Sequence, residues 1–514
     1  MEGPQIELSD IQRFYKDSTV FLTGATGFIG KLFLEKVLRA LPVKKVYILV
    51  RTKKDVPAAK RFQDIFESPV FDLLKRTNPT ALDKVEILEG DCSLPMVGLS
   101  EQDIETFVQN VNVIFHCAAT VRFDEKIKHA TRTNVRSTKD LVDLAKKIPK
   151  LRTFVYVGTA YSNSNRLEIR EEIYPAKITA EKLITVCESL DDECLNAVTD
   201  KLIGDWPNTY TFTKQVSEDY INRVGRDIPI CIERPAVVIS TAEEPMSAFV
   251  DNVYTLAGFV MSNVVGISRI TYYKNTNLDM VPADYVVNHC IAAGWLTGDS
   301  FKKQRSEIPV YQISNAIDNP ISQDDIYDIV DYECHKIPTP KLVVLPLYFR
   351  TTCRYNYLFF RFFFHTLIAH MVDFVLKVKG KKPMLVKGMK KLHAFQEANE
   401  PFSLQDFFIH VENTNKLLKK MSFKDRELFN FDVARINWED YFAQYVRGLR
   451  FYLLKDTMDT VAEGFKKYRV LKITATVYLI IAAIVIYGLG KVFLFRAVPL
   501  VWGVVAHFLR NLVC

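Results

Sequence analysis

Acidic residues are nearly absent from two stretches of this 514-residue chain. Residues 341–391 contain eleven lysines and arginines and one acid, Asp373, and residues 461–514 contain seven basic residues and one acid, Glu463. Because the net charge of the whole chain is only +7, the remaining residues form an acidic body. Both basic stretches are rich in aliphatic and aromatic residues, which favours contact with an anionic lipid surface rather than with nucleic acid.

Cysteine is scarce and scattered. The nine cysteines include no C-x-x-C pair, so neither a disulfide framework nor a zinc site is predicted, and we expect no metal. The main body of the protein is therefore expected in reducing cytosol. The first residues lack the basic start and apolar core of a secretory signal, and we interpret residues 1–17 as a polar leader.

Charge is missing altogether from residues 473–490, which lie between basic flanks. These 18 residues reach the lower end of the length needed for a membrane-spanning helix. A second apolar segment, residues 497–509, could return as a hairpin or lie in the membrane interface. We predict a C-terminal transmembrane anchor, with a buried pair of soluble helices as the alternative.

The first 300 residues or so alternate between short apolar runs and stretches with helical spacing. Five of the runs have the composition of buried parallel strands: residues 19–22, 46–50, 85–88, 111–115 and 154–157. The pattern predicts an α/β fold with a doubly wound parallel sheet over residues 18–330. Beyond about Ser300 the alternation is lost, and we predict a second, mostly helical domain over residues 331–460.

A glycine-rich turn, TGATGFIG, follows the first predicted strand and leads into a predicted helix, which is the context of a dinucleotide-binding fingerprint. Its first glycine permits a tight turn, its second lets the backbone approach a pyrophosphate, and its third lets the helix pack closely on the sheet. The predicted cofactor contacts of this turn are Thr23, Gly24, Thr26, Gly27, Phe28, Ile29 and Gly30.

The end of the second strand indicates which dinucleotide binds. An NAD enzyme usually places a carboxylate there to hold the ribose hydroxyls, whereas this chain has Arg51, followed by Lys53 and Lys54. A guanidinium can hold a 2′-phosphate with two hydrogen bonds, so NADPH is the predicted cofactor. The two lysines are interpreted as solvated surface charges, and Asp91 either reaches the adenine or is an ordinary loop aspartate.

Tyr210 and Lys214 are four residues apart, hence on one face of a predicted helix. When a carbonyl is reduced its oxygen gains negative charge, and a tyrosine donates the required proton more readily if a nearby cation stabilises the phenolate. The alternative is an ordinary exposed pair. Thr159, after the fifth strand, could orient the carbonyl, and Asn134 could anchor a water in the proton path or lie on a helix surface.

Five segments resemble the extended short-chain dehydrogenase/reductase family, and more closely its fatty acyl-CoA reductase branch, which is related to the plant male-sterility proteins. These segments, spread over most of the chain, read TGATGFIGK near the start, HCAATVRFDE at 116–125, GTAYSNSN at 158–165, KLIGDWPNTYTFTK at 201–214 and ERPAVV at 233–238.

The resemblance implies reduction of a long-chain acyl-CoA to a primary alcohol with two NADPH, release of CoA, and passage through a bound aldehyde. It implies that Tyr210 is the general acid, that Lys214 is the partner of the ribose and the phenol, that Thr159 orients the carbonyl, and that His116 and Ala118 lie beside the cofactor. It also implies a C-terminal anchor in the endoplasmic reticulum, or alternatively the peroxisome, and leaves the oligomeric state open.

Two positions depart from the family pattern. Gly158 stands where Ser-Thr-Ala-Tyr is usual, so Thr159 must replace the serine hydroxyl or activity is reduced, and Ala236 stands where the family often has a serine. Another membrane-bound extended reductase, acting on a lipid or sterol carbonyl or hydroxyl, and a non-catalytic NADPH-binding scaffold are the alternative functions. The aromatic segment 348–379 could lie on the bilayer, line an acyl tunnel, or form an ordinary core helix.

Overall fold

The computed structural model describes residues 7–53, 56–254, 256–301, 307–346 and 348–477, with isolated positions up to Lys491. Eight of the 18 residues of the predicted spanning segment 473–490 and all of 497–509 therefore lie outside the described residues.

The described strands are β1 (Thr19–Thr23), β2 (Lys45–Val50), β3 (Val85–Glu89), β4 (Val113–His116), β5 (Thr153–Val157), β6 (Glu168–Ile169), β7 (Ile230–Pro235), β8 (Val237–Ile239), β9 (Ile270–Tyr272), β10 (Met280–Pro282), β11 (Val310–Ile313), β12 (Phe349–Thr351) and β13 (Phe408–Ile409).

The described α-helices are α1 (Asp10–Tyr15), α2 (Phe28–Ala40), α3 (Ala58–Phe66), α4 (Asp72–Thr77), α5 (Glu101–Asn110), α6 (Ile127–Ala130), α7 (Ser137–Ala145), α8 (Ala180–Ser189), α9 (Asp192–Ile203), α10 (Thr209–Val224), α11 (Leu256–Val264), α12 (Ala283–Ser300), α13 (Gln323–Lys336), α14 (Arg354–Arg361), α15 (Ile368–Val378), α16 (Leu385–Ser403), α17 (Glu412–Lys420), α18 (Phe423–Leu428) and α19 (Trp438–Gly448). π-Helical turns at Thr131–Arg136, Phe362–Leu367 and Leu449–Leu453 continue α6, α14 and α19.

Seven parallel strands form the central sheet in the order β11-β7-β5-β4-β1-β2-β3. The middle strands are apolar and buried along their length because helices cover both faces: α2 and α12 pack on one, α7 and α10 on the other. All five predicted strands are in this sheet, so the predicted doubly wound fold is confirmed. The strand order reverses between β1 and β4, and a crevice opens there at the carboxyl ends of the strands.

The sheet continues beyond Ser300, where the alternation in the sequence is lost, because β11 pairs with β7 and forms the edge of the sheet within the predicted span 18–330. A strand of four residues is too short to give a clear periodic signal. The polar leader is also partly structured: α1 begins after Ser9, which forms a capping box with Gln12, and buries Ile11 and Tyr15 on one helix face.

The C-terminal region is helical, as predicted, but it is continuous with the rest of the molecule. The predicted boundary at residue 330 lies inside α13. Beyond it, β12 pairs with β9 and β13 pairs with β6, and Leu417 of α17 joins the same hydrophobic core as the central sheet. The C-terminal helices are therefore able to reach the crevice of the sheet.

One long helix, Arg354–Val378, is formed by α14, a π-helical turn and α15. Within the described residues it is the one helix long and apolar enough to cross a membrane, and only 17% of its most apolar 18-residue window is buried. Phe359 and Phe374 are 59% and 67% exposed. The interpretation of this segment as an ordinary core helix is therefore wrong.

Candidate active site

A cleft of about 910 Å³ lies at the carboxyl ends of β1, β4 and β5. Most of the residues predicted from the sequence line it: Gly24, Thr26, Gly27, Phe28, Ile29, Gly30, Arg51, Asp91, Ala118, Thr159 and Tyr210. The cleft thus joins the glycine-rich turn at one end to the predicted proton donor at the other.

The glycine-rich turn is shaped for a close approach of backbone to a ligand. Gly24 has a positive φ of 79°, and a Cβ atom there would come within 2.9 Å of the Ala118 amide nitrogen. A Cβ atom on Gly30 would lie 2.0 Å from the Gly24 carbonyl oxygen. Gly27 begins α2 without a side-chain cap, so the first amides of this 13-residue helix remain available to an anion. This geometry fits a dinucleotide pyrophosphate.

Thr23 and His116 support this turn from below the cleft. Both are buried, and the hydroxyl of Thr23 lies 2.8 Å from His116 Nδ1 while it accepts a hydrogen bond from the Ala118 amide at 3.1 Å. Burial, and secondarily the nearby Lys214 ammonium, lowers the pKa of His116 to about 3, so the imidazole is neutral. The structure brings Ala118 to the cleft surface and leaves Thr23 and His116 behind it.

A basic cluster occupies the end of the cleft beside β2. Arg51 Nη1 donates to Asp91 Oδ2 at 3.0 Å, and Arg61 Nη1 donates to the Arg51 carbonyl at 2.5 Å. Burial tends to raise the pKa of the Asp91 carboxyl, but hydrogen bonds from Ser93 and Arg51 outweigh this effect and hold the pKa below its usual range. Asp91 is therefore a charged partner that orients Arg51.

Lys53 and Arg61 also line this end of the cleft. Lys53 is exposed, as expected for a solvated surface charge, although it borders the cleft, while Lys54 lies outside the described residues. Sequence reasoning missed Arg61, which belongs to α3. The residue pattern of that helix does not indicate that the Arg61 side chain reaches back to the end of β2. Arg51, Lys53 and Arg61 together make this end of the cleft positively charged, which fits an anionic group of a dinucleotide.

Tyr210 lies in the first turn of α10, which Asn208 caps by accepting a hydrogen bond from the Thr211 amide at 2.9 Å. Desolvation raises the pKa of Tyr210 well above its ordinary value; a hydrogen bond with Thr159 opposes the shift and the Glu218 carboxylate adds to it. The phenol therefore stays protonated at neutral pH. The structure brings Tyr210 and Thr159 together, as the sequence predicts.

Lys214 follows Tyr210 by one helical turn but points under the cleft. It is only 2% exposed, and its Nζ donates to the Val157 carbonyl at 2.7 Å and lies 4.7 Å from the centre of the Tyr156 ring. Burial lowers its pKa to about 8, and the charge of Glu218 opposes this shift. The interpretation as an ordinary exposed pair is wrong for this lysine.

Asn134 is 1% exposed, so its interpretation as a helix-surface residue is wrong. Its Oδ1 accepts from the Thr120 amide and its Nδ2 donates to Thr213 Oγ1, both at 2.9 Å. The side chain thus ties the segment after β4 to α10, which carries Tyr210. Its role as a water anchor stays a prediction.

Gly158 lies against a buried ion pair. A Cβ atom there would come within 2.8 Å of Glu218 Oε1, and Glu218 is bound to Arg234 at 2.7 Å with both side chains fully buried. A serine at this position would displace the carboxylate. The departure from the family pattern therefore has a steric reason next to Thr159.

The cleft also contains residues from the C-terminal helices that sequence reasoning missed. Phe402 and Asn399 of α16 and Tyr445 of α19 line it, together with Phe123 from the segment after β4. The Phe123 ring stacks on Tyr210, with ring centres 6.1 Å apart, and lies 5.2 Å from the Phe402 ring. No local pattern could have identified Phe402, since it lies 192 positions beyond Tyr210.

Comparison with solved structures supports the fold. The terminal R domain from the myxalamid PKS-NRPS biosynthetic pathway matches with a TM-score of 0.57 and 18% identity, over 85% of this chain and 91% of that domain. The reductase domain of a non-ribosomal peptide synthetase from Mycobacterium tuberculosis matches with a TM-score of 0.55 and 19% identity, over 87% and 96%. At these identities the likeness concerns the fold alone.

Comparison with sequences shows the family. Two family models described as male sterility protein match the chain, an NAD-binding model over residues 22–290 and a Sterile model over residues 364–456. Fatty acyl-CoA reductase wat of Drosophila melanogaster is 36% identical over 95% of this chain and 94% of its own length, and fatty acyl-CoA reductase 1 of Xenopus laevis is 35% identical over 87% of each. The chain therefore belongs to the fatty acyl-CoA reductases, NAD(P)H-dependent oxidoreductases of the male sterility protein family.

Proposed function

We propose that the protein reduces a long-chain acyl-CoA to a primary fatty alcohol and releases CoA, with two NADPH consumed and an aldehyde held between the two reductions. The observation that carries this proposal is the pairing of Tyr210 with Thr159 in a cleft that begins at the uncapped glycine-rich turn. A chain with this site is 36% identical to a fatty acyl-CoA reductase over 95% of its length.

When bound, the nicotinamide would supply the hydride. The Thr159 and Tyr210 hydroxyls would hold the carbonyl oxygen of the substrate, and the Tyr210 phenol would give it a proton as negative charge develops there. A raised pKa suits this task, because the group must be protonated when the reaction begins. Phe123 stacks on the Tyr210 ring and Phe402 packs on Phe123, and these apolar rings would keep water from the aldehyde.

The activity can be tested by incubating the purified protein with palmitoyl-CoA and NADPH and measuring alcohol, aldehyde and free CoA. We expect alcohol and CoA in equal amounts. Absence of CoA release for every acyl length would contradict the proposed reaction, whereas accumulation of aldehyde would contradict only the second reduction.

Replacing Arg51 by glutamine tests the proposed preference for NADPH. We expect the Kd for NADPH to rise about 10- to 100-fold, the size of a lost hydrogen bond to a charged group, and the Kd for NADH to stay unchanged. Binding can be followed by fluorescence titration, with Lys60→Gln, an exposed charge on α3, as the control. An equal loss of affinity for NADPH and NADH would mean that Arg51 does not bind the 2′-phosphate.

We further propose that the protein is anchored by its C-terminus with the active site in the cytosol, at the endoplasmic reticulum or alternatively the peroxisome. Residues 461–477 form a largely exposed helix that leads into the charge-free run. The exposed aromatic face of the helix Arg354–Val378, followed by a lysine-rich segment, would add a second contact with anionic lipid.

Deleting residues 473–514 should convert the protein from carbonate-resistant to salt-extractable in membrane preparations, because the remaining helix can bind lipid only reversibly. Adding Phe363→Asp and Phe374→Asp should then leave it in the soluble fraction. Phe423→Asp, an exposed phenylalanine on α18, is the matched control. Carbonate resistance of the deletion variant would contradict the C-terminal anchor, and imaging of the full chain would distinguish the two organelles.

A further inference from the structure

A second cavity, of about 120 Å³, adjoins the catalytic cleft. It lies between α11, β10 and the last two turns of α16. Four residues line both spaces: Tyr161, Val237, Asn399 and Phe402. The cavity is thus a side chamber of the active site.

The wall of this chamber is mostly hydrocarbon. Its apolar part consists of Val237, Leu256, Phe259, Leu278, Met280, Phe395 and Phe402. The polar groups in the wall have partners of their own: Tyr161 Oη donates to the Asp279 carbonyl at 3.3 Å, Gln323 Nε2 donates to Thr276 Oγ1 at 2.7 Å, and Glu400 is paired with Arg354. A ligand for this chamber is therefore apolar, because there is little for a polar one to bind.

A row of aromatic rings leads from the proton donor to the chamber. The ring centres of Tyr210 and Phe123 are 6.1 Å apart, those of Phe123 and Phe402 are 5.2 Å apart, and those of Phe402 and Tyr161 are 5.1 Å apart. Phe402 therefore lies at the mouth, between the reacting carbonyl and the chamber.

From Phe402 the chamber extends back along α16 toward the start of that helix. Gln396 precedes Phe402 by six residues, or about 9 Å of helix, and it accepts a hydrogen bond from Tyr357 Oη at 3.2 Å. The Tyr357 ring in turn lies 6.0 Å from that of Tyr272. Tyr272 and Tyr357 line the chamber but not the cleft, so they form a wall of the chamber away from its mouth.

We propose that this chamber, which is too small for a whole long acyl chain, binds the distal end of the substrate's hydrocarbon chain, with Phe402 at its mouth and the Tyr272–Tyr357 wall limiting the chain length. The proposal rests on the proposed acyl-CoA reduction and adds where the acyl chain lies. It gives the C-terminal helices a direct part in substrate selection, since α16 provides Phe402 at the mouth and α14 provides Tyr357 of the end wall.

Filling the chamber tests the proposal. Leu278 lines the chamber but not the cleft, so Leu278→Trp should shorten the space for the chain without touching the reacting groups. We expect kcat/KM to fall about fourfold for each methylene that no longer fits, so that octanoyl-CoA is favoured over palmitoyl-CoA. The matched control is Leu167→Trp, an exposed leucine outside the chamber, which should leave the chain-length profile unchanged.

Opening the end wall should have the opposite effect. Tyr357→Leu is expected to move the preferred acyl-CoA toward longer chains, while NADPH binding reports that each variant is folded. An equal fall in kcat/KM for all acyl lengths, or an unchanged dependence of kcat/KM on acyl length in both variants, would overturn the chamber proposal. Either result would leave the reductase proposal intact. A wild-type protein that reduces no acyl-CoA would instead overturn the proposed function.

Discussion

Replacing Tyr210 by phenylalanine should lower kcat/KM for palmitoyl-CoA by about 10²- to 10⁴-fold, the usual contribution of a positioned general acid. The substitution removes the phenolic proton but keeps the ring that stacks on Phe123. The glycine-rich turn and the basic cluster are not altered, so the Kd for NADPH should not change. Initial rates of CoA release and a fluorescence titration with NADPH would measure the two quantities.

Tyr332→Phe provides the control for this experiment, because Tyr332 is an exposed tyrosine on α13. It should leave both the rate and the cofactor affinity unchanged. If Tyr210→Phe retained most of its activity, the proton would have to come from elsewhere. If it lost NADPH binding, Tyr210 would be a cofactor contact and not the proton donor.

Replacing Arg234 by methionine should lower the free energy of unfolding by about 3–5 kcal/mol, because it leaves Glu218 as an unpaired buried charge. Arg234 Nη2 binds Glu218 at 2.7 Å, and the guanidinium also donates to the carbonyls of Arg170 and Glu172 at 3.1 and 2.9 Å. The shift can be measured from urea unfolding of the full chain in detergent.

Arg170→Met removes an exposed arginine whose partner, Glu168, is also exposed, and should lower the free energy of unfolding much less than Arg234→Met does. The loss of unfolding free energy for Arg234→Lys should lie between the losses for Arg234→Met and Arg170→Met, since an ammonium cannot make the forked contacts of a guanidinium. Similar losses for Arg234→Met and Arg170→Met would contradict a structural role for the buried pair. The pair matters to the site because Glu218 lies against Gly158, next to Thr159.

Local patterns were sufficient for five of the seven strands of the central sheet and for the glycine-rich turn. The strands β1 and β2 are buried on both faces, and such strands must be runs of apolar residues that are visible in the sequence. The turn needs glycine at Gly24 and Gly30, because any side chain there would collide with backbone atoms. The i, i+4 spacing likewise places Tyr210 and Lys214 one helical turn apart on α10.

By itself, then, the sequence determined the fold class, the family and the chemical types of the groups in the cleft. Only the tertiary structure decided that Lys214 turns toward the Val157 carbonyl, that Asn134 is buried, and that Phe402 packs on Phe123. The physical reason is the range of the interactions. Helical and strand periodicities are set by neighbours a few residues apart, whereas the direction of a buried side chain is set by packing and hydrogen bonds with residues far away in the chain.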